Sequence, residues 1–115
     1  MSMKASTRQV DGVTVVDLSG RIKEGEDITV LRDTIDDLLG KGQKKILLNL
    51  GDVNHIDSSG LGALLRASTS VRNQGGELKL LHPTKKVHDM LQNTKLSTVL
   101  DVRDNEAAAI AAFGS

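Results

Sequence analysis

The sequence predicts an α/β fold: one mixed sheet of four to five strands, with helices gathered mainly on one face. Three observations predict it. A hairpin signal, Asp11-Gly12, separates two short strand-like runs near the start of the chain. Behind it, helix-periodic and strand-like stretches alternate to the C-terminus, as crossover connections in a partly parallel sheet require. The strand run Ile46-Leu47-Leu48 is apolar at successive positions, as in a strand covered on both sides.

Length and composition agree with that picture and close off other classes. A chain of 115 residues suits one domain, taken as residues 1–115, with a single modest core. Fifteen basic and fifteen acidic residues cancel, so no whole-chain field draws the protein to nucleic acid or an anionic membrane. Phe113 is the only aromatic residue, which leaves an aliphatic core and no stacking platform for bases. No apolar run approaches the ~18 residues that span a bilayer, and the opening Met-Ser-Met-Lys has no signal-peptide character. The absence of cysteine excludes disulfides and thiolate metal sites, and suits a cytoplasmic protein.

The elements follow in order. Residues 4–10 are mostly polar and read as an edge strand; Asp11-Gly12 then supplies the positive φ values of a type I′ turn. Val13–Ser19 is the return strand, and Gly20–Glu26 a charged loop. Asp27 is expected to cap a helix that buries Ile28, Leu31, Ile35 and Leu38. Gly40-Lys41-Gly42 ends it, and Lys44–Leu50 forms the next strand. After the stretch Asp52–Gly62, a helix running to about Asn73 should bury Leu61, Leu64, Leu65 and Val71. Gln74-Gly75-Gly76 turns into strand Glu77–Leu81. Thr84 caps a short helix burying Val87, Met90 and Leu91; a short strand falls near Val99–Val102, and Asp104 caps a last helix.

The chemistry concentrates in Asp52–Gly62, Asp-Val-Asn-His-Ile-Asp-Ser-Ser-Gly-Leu-Gly. Asp57, Ser58 and Ser59 stand where a helix start leaves backbone N–H groups without partners. Gly60 and Gly62 fall within the first turn, although glycine costs a helix roughly 0.5–1 kcal/mol relative to alanine. Two glycines there imply a close approach to the backbone, by a neighbouring element or by another protein. A phosphoryl group on Ser58 would bring about −1.5 to −2 charge beside Asp57. The helix start tolerates that charge, and a docked partner would not.

Asp57-Ser58-Ser59-Gly60-Leu61-Gly62 resembles the signature of the anti-sigma factor antagonists, the bacterial branch of the STAS domains. The likeness extends to Lys45–Leu50, Gly75–Leu78 and Val87–Leu91, and covers roughly residues 10–112. It implies that Ser58, with Ser59 as fallback, is phosphorylated by a partner anti-sigma factor that is itself a serine kinase, and that a cognate phosphatase reverses the step. It further implies a partner-binding surface of Asp57, Ser58, Ser59, Gly60, Leu61 and Gly62, with Lys23 nearby. The free chain is expected to be a monomer or weak dimer. One departure is informative. Many members have an acidic residue soon after the glycine matching Gly20, and this chain has Arg21-Ile22-Lys23, which leaves the identity of the kinase open.

Competing chemistries find little support. His55 precedes Ser58 by three residues, but no nucleophile elbow surrounds that serine, and His82 and His88 lie elsewhere. Asp52, His55 and Asp57 are metal-ligating types without a recognised ligand spacing; Asp52 is expected to cap or turn the loop. Gly60-Leu61-Gly62 completes no phosphate-binding loop. The chain is therefore read as a binding protein with no enzymatic activity, cofactor or metal. The alternative from another class is a constitutive STAS adaptor docking on a transporter ATPase or a signalling complex.

Overall fold

Asp11 and Gly12 take φ values of 50° and 82° in the computed structural model, which describes residues 3–114. Residues 1, 2 and 115 of the expected domain lie outside the described residues. This left-handed pair makes the tight turn between antiparallel strands β1 (Lys4–Val10) and β2 (Val13–Ile22). The chain continues through α1 (Glu26–Gly40), β3 (Lys45–Ile56), α2 (Ser58–Asn73), β4 (Glu77–Leu81) and α3 (Lys85–Asn93). A 3-10 turn at Leu96–Thr98, β5 (Asp101–Arg103) and α4 (Glu106–Ala111) complete it. The sheet order is β1-β2-β3-β4-β5, with every pair after the first parallel. The predicted mixed α/β sheet is therefore present, with five strands.

Helices α1, α2 and α3 cover one face. Leu31, Ile35 and Leu38 of α1, Leu61, Leu64 and Val71 of α2, and Val87 and Leu91 of α3 join Ile46, Leu48 and Leu50 of β3 in one buried cluster. Met3 and Ala5 pack into its margin. On the other face, Ala109 and Phe113 from α4 and the residues just after it meet Val13, Val15, Leu47 and Leu81.

Several boundaries differ from the sequence reading. Strand β3 runs on to Ile56, so Asp52 is an exposed strand residue opposite Ser19 rather than a loop cap. The reason is irregular pairing. From Asp17 to Ser19, β2 advances two residues while β3 advances three, Asn49 to Asp52; from Gly20 to Arg21 it advances one against two. Each extra residue shifts the alternation, so the buried positions become Leu50, Val53 and Ile56 and mimic the end of a strand. Strand β2 likewise absorbs Gly20–Ile22 from the expected loop.

Asp27 does not cap α1: Gly25 holds that position, with φ 104° and no side-chain cap, and Asp27 is buried inside the first turn. Leu65 is 36% exposed, because α2 buries Ala63, Ala67 and Ser68 and turns position 65 outward. Ile28 and Met90 are only half-buried. Val99 is 54% exposed and lies outside β5, which begins at Asp101; the core position ahead of that strand is taken by Leu100 instead. The last helix is capped by Asn105, whose Oδ1 accepts the Ala108 N–H at 2.9 Å, one residue beyond the expected Asp104.

Candidate functional site

The stretch singled out in the sequence lies where β3 passes into α2, beside the end of β2. Asp57 holds the corner with both carboxylate oxygens. Its Oδ1 accepts the Gly60 N–H at 2.8 Å and caps α2; its Oδ2 accepts the Glu24 N–H at 3.0 Å from the β2–α1 loop. One side chain thus starts a helix and fixes the neighbouring loop. These two donors, Glu24 N–H first and Gly60 N–H second, hold the carboxyl below the usual aspartate range, and the nearby Lys23 charge adds to the effect.

The same loop is held from its other side by Asp27. Its Oδ2 accepts the Lys23 N–H at 3.1 Å, and its Oδ1 accepts the Met3 N–H at 3.0 Å. Arg21 Nε lies 3.7 Å from Asp27 Oδ2, which gives the buried carboxylate a cation. Two carboxylates at the starts of adjacent helices therefore grip consecutive N–H groups, Lys23 and Glu24. Sequence reading missed this pair because both residues looked like ordinary caps. The available signal was an acidic residue at the start of each of two helices, Asp27 after Gly25 and Asp57 before Ser58-Ser59-Gly60.

Gly60 is a packing requirement. A Cβ there would collide with the Ile22 carbonyl oxygen and stand 2.7 Å from Ile56 Cγ1. The neighbouring element, not a partner, explains this glycine. Leu61 is also committed to the core, at 4% exposure. Gly62 differs: it is half-buried, and its missing Cβ leaves room for Arg66, whose Nη1 would lie 3.2 Å from such an atom.

Ser58 is exposed and Ser59 half-buried, in a first turn that contains no acidic residue. Neither hydroxyl makes a hydrogen bond among the described residues. Asp57, Ser58, Ser59 and Gly62 thus share a surface with the half-buried Lys23, while Gly60 and Leu61 support it from beneath. His55 is on β3 opposite Arg21, and His88 lies on α3 with its Nδ1 4.0 Å from Asp89 Oδ1. Among the described residues, no three of His, Asp or Glu gather into a group fit to hold a metal ion. No helix among them is long and apolar enough to cross a membrane.

Comparison with known proteins extends the geometry. A Thermotoga neapolitana protein named for membership of the anti-sigma factor antagonists is 37% identical over 75 residues, 65% of this chain and 66% of that one. The matched stretch thus spans just under two thirds of that relative's length. The anti-sigma F factor antagonist of Paenibacillus polymyxa is 28% identical over 111 residues, covering 96% of this chain and 94% of that one. A crystal structure from Thermotoga maritima, titled as an anti-sigma factor antagonist, superposes with a TM-score of 0.86 at 28% identity, covering 95% and 93% of the two chains. These relatives are named for antagonism of a protein factor and not for a reaction, in agreement with the reading of this chain as a non-enzyme. Residues 4–109 match the STAS domain, a span that runs from the first residue of β1 into α4, and the chain belongs to that family.

Proposed function

We propose that the chain is an anti-sigma factor antagonist, which binds an anti-sigma factor with serine kinase activity and so frees a sigma factor for transcription. Phosphorylation of Ser58 ends the binding, and a cognate phosphatase restores it. The observation that carries this reading is the exposed, uncommitted Ser58 hydroxyl at the start of α2, on a corner held rigid by Asp57. In the step itself the hydroxyl oxygen takes the γ-phosphoryl group of ATP, ADP leaves, and the hydroxyl proton passes to the kinase. The product phosphate is tolerated within the chain, because it faces the N-terminal end of a helix, and the Lys23 charge acts on the adjoining Asp57. In an interface it adds charge that is costly when unpaired.

The test is calorimetry with the host's anti-sigma kinases, each purified, against the wild-type chain, Ser58→Ala and the phosphorylated chain. Ser58→Ala should accept no phosphate and keep its affinity. The phosphorylated chain should bind about 100-fold more weakly, which requires ~2.8 kcal/mol at 1.4 kcal/mol per factor of ten. Equal affinities with and without phosphate would overturn the switch and favour the constitutive adaptor. Phosphate on Ser59 in the Ser58→Ala chain would move the site by one residue.

A further inference from the structure

Ser58 heads an exposed stripe that runs the length of α2. At 3.6 residues per turn, Ser58, Gly62, Leu65, Thr69 and Arg72 all fall within about 40° of one line down the helix. Ser58, Leu65, Thr69 and Arg72 are exposed and Gly62 is half-buried. Leu65 is one of two large apolar side chains exposed among the described residues, the other being Val99, ahead of β5. It stands two turns from Ser58, about 10 Å along the axis.

The charge on this helix is one-sided. Helix α2 contains Arg66 and Arg72 and no acidic residue, and neither arginine forms an ion pair among the described residues. Arg66 lies back over Gly62, between the turn of Ser58 and Leu65. The adjacent α1 has the opposite character, with Glu26, Asp27, Asp33, Asp36 and Asp37 against Arg32 alone. A chain without net charge thus presents a basic helix beside an acidic one.

We propose that the outward stripe of α2 is the partner-reading surface, and that it fits an acidic protein surface with an apolar socket for Leu65. This rests on the antagonist reading above and names the chemistry of the partner it requires. Arg66 and Arg72 meet the partner's carboxylates, while the acids of α1 repel the same patch and fix its orientation across the helix pair. The apolar contact supplies the anchor, and the surrounding charges supply rate and register. The switch then acquires a second component. A phosphate of about −1.5 to −2 on Ser58 stands one turn from the Arg66 guanidinium over Gly62, so it offsets that arginine's attraction as well as obstructing contact.

The experiment uses the full chain and the purified anti-sigma kinase that binds the wild type, with affinity measured across a series of NaCl concentrations. Leu65→Ala should weaken binding about tenfold with its salt dependence unchanged. The pair Arg66→Glu and Arg72→Glu should weaken it roughly 100-fold at low salt and abolish the loss of affinity that added salt causes in the wild type. The same reversal at Lys85 and Lys86 on α3, and Val99→Ala, serve as controls that should leave binding unchanged. Thermal melts confirm folding, and both arginines are exposed. If the α2 variants bind as the wild type does, with the same salt dependence, while phosphate on Ser58 still releases the kinase, the antagonist reading stands and this surface is wrong. If the wild type binds no anti-sigma kinase at all, both readings fall together.

Discussion

The two faces of the sheet are covered by different means. On one, α1, α2 and α3 bury a continuous aliphatic cluster from Val16 and Leu18 to Leu91 and Leu100. On the other, α4 has six helical residues and lays Ala109, Ile110 and the following Phe113 over Val13, Val15, Leu47 and Leu81. So small an apolar contact is supplemented by charge. Arg8 on β1 reaches Asp17 through Nε at 2.8 Å and Glu106 through Nη1 at 3.0 Å, and Asn49 Nδ2 donates to Asp17 at 2.9 Å. Further along, Lys79 is buried, lies 5.0 Å from the centre of the Phe113 ring and pairs with Asp101 at 2.8 Å. The first face is held by area, the second by a few directed contacts. Ser58 belongs to the better-held face, so under the proposed switch a phosphate there would act on a helix anchored by the larger core.

The sharpest way to break this contrast is a pair of core truncations. Leu64 is fully buried beneath α2, and Leu64→Ala should cost about 2–5 kcal/mol in global stability, read as a lower urea midpoint. Phe113→Ala removes a larger side chain, yet it should cost less globally, about 1–3 kcal/mol, because α4 can detach with the sheet intact. Hydrogen exchange should show residues 106–112 of the Phe113 variant opening on their own, while β3 and α2 remain protected. Equal loss of protection throughout would show that the two faces form one cooperative unit.

A second comparison sets the two glycines of α2 against each other. Gly60→Ala forces a Cβ against the Ile22 carbonyl, which belongs to backbone and cannot swing aside; a cost of about 1–3 kcal/mol is expected. Gly62→Ala meets only the far end of Arg66, a flexible side chain, and should gain a few tenths to about 1 kcal/mol of helix propensity. Thermal melts of both variants decide it. Destabilisation by Gly62→Ala comparable to that of Gly60→Ala would mean that the outer turn is packed as tightly as the inner one.

What was legible in the sequence follows the same division. The hairpin, the sheet class and the start of α2 were readable because each rests on local chemistry: Asp11-Gly12 for the turn, alternating aliphatic residues for the strands, Asp57 for the cap. The end of β3 was not, since its extra residues break the alternation that identifies a strand. Leu65 was misplaced because leucine at that spacing fits a buried stripe, and only the tertiary packing of Ala63 and Ala67 shows that smaller residues fill it. The shared grip of Asp27 and Asp57 on the β2–α1 loop joins residues 30 positions apart in sequence, beyond the reach of any local pattern. Gly60 was flagged correctly as a close approach, and the structure identifies the neighbour as Ile22.

The smallest expected effect tests the electrostatic half of the comparison. Arg8 holds the carboxyls of Asp17 and Glu106 below their usual ranges, chiefly through its hydrogen bonds to each. A carboxyl with a lowered folded pKa stabilises the fold above its unfolded value, about 3.9 for Asp and 4.3 for Glu, and loses that contribution as pH falls through the lowered folded value. Glu106→Gln should therefore detach α4 more readily at neutral pH by about 0.2–1 kcal/mol, since the pair is partly exposed. The difference from wild type should shrink towards zero as the solution is acidified below the usual carboxylate range. A global acid melt cannot isolate this, because Asp57 and Asp101 also have lowered values. The ring protons of Phe113, the sole aromatic residue, report on α4 alone and can be followed by NMR in wild type, Arg8→Ala, Glu106→Gln and the double variant. Coupling between the two substitutions at neutral pH that disappears in acid marks the ion pair as the latch of α4. Strictly additive effects at every pH would leave Ala109 and Phe113 as its only fastening, and the second face would then be held by area like the first.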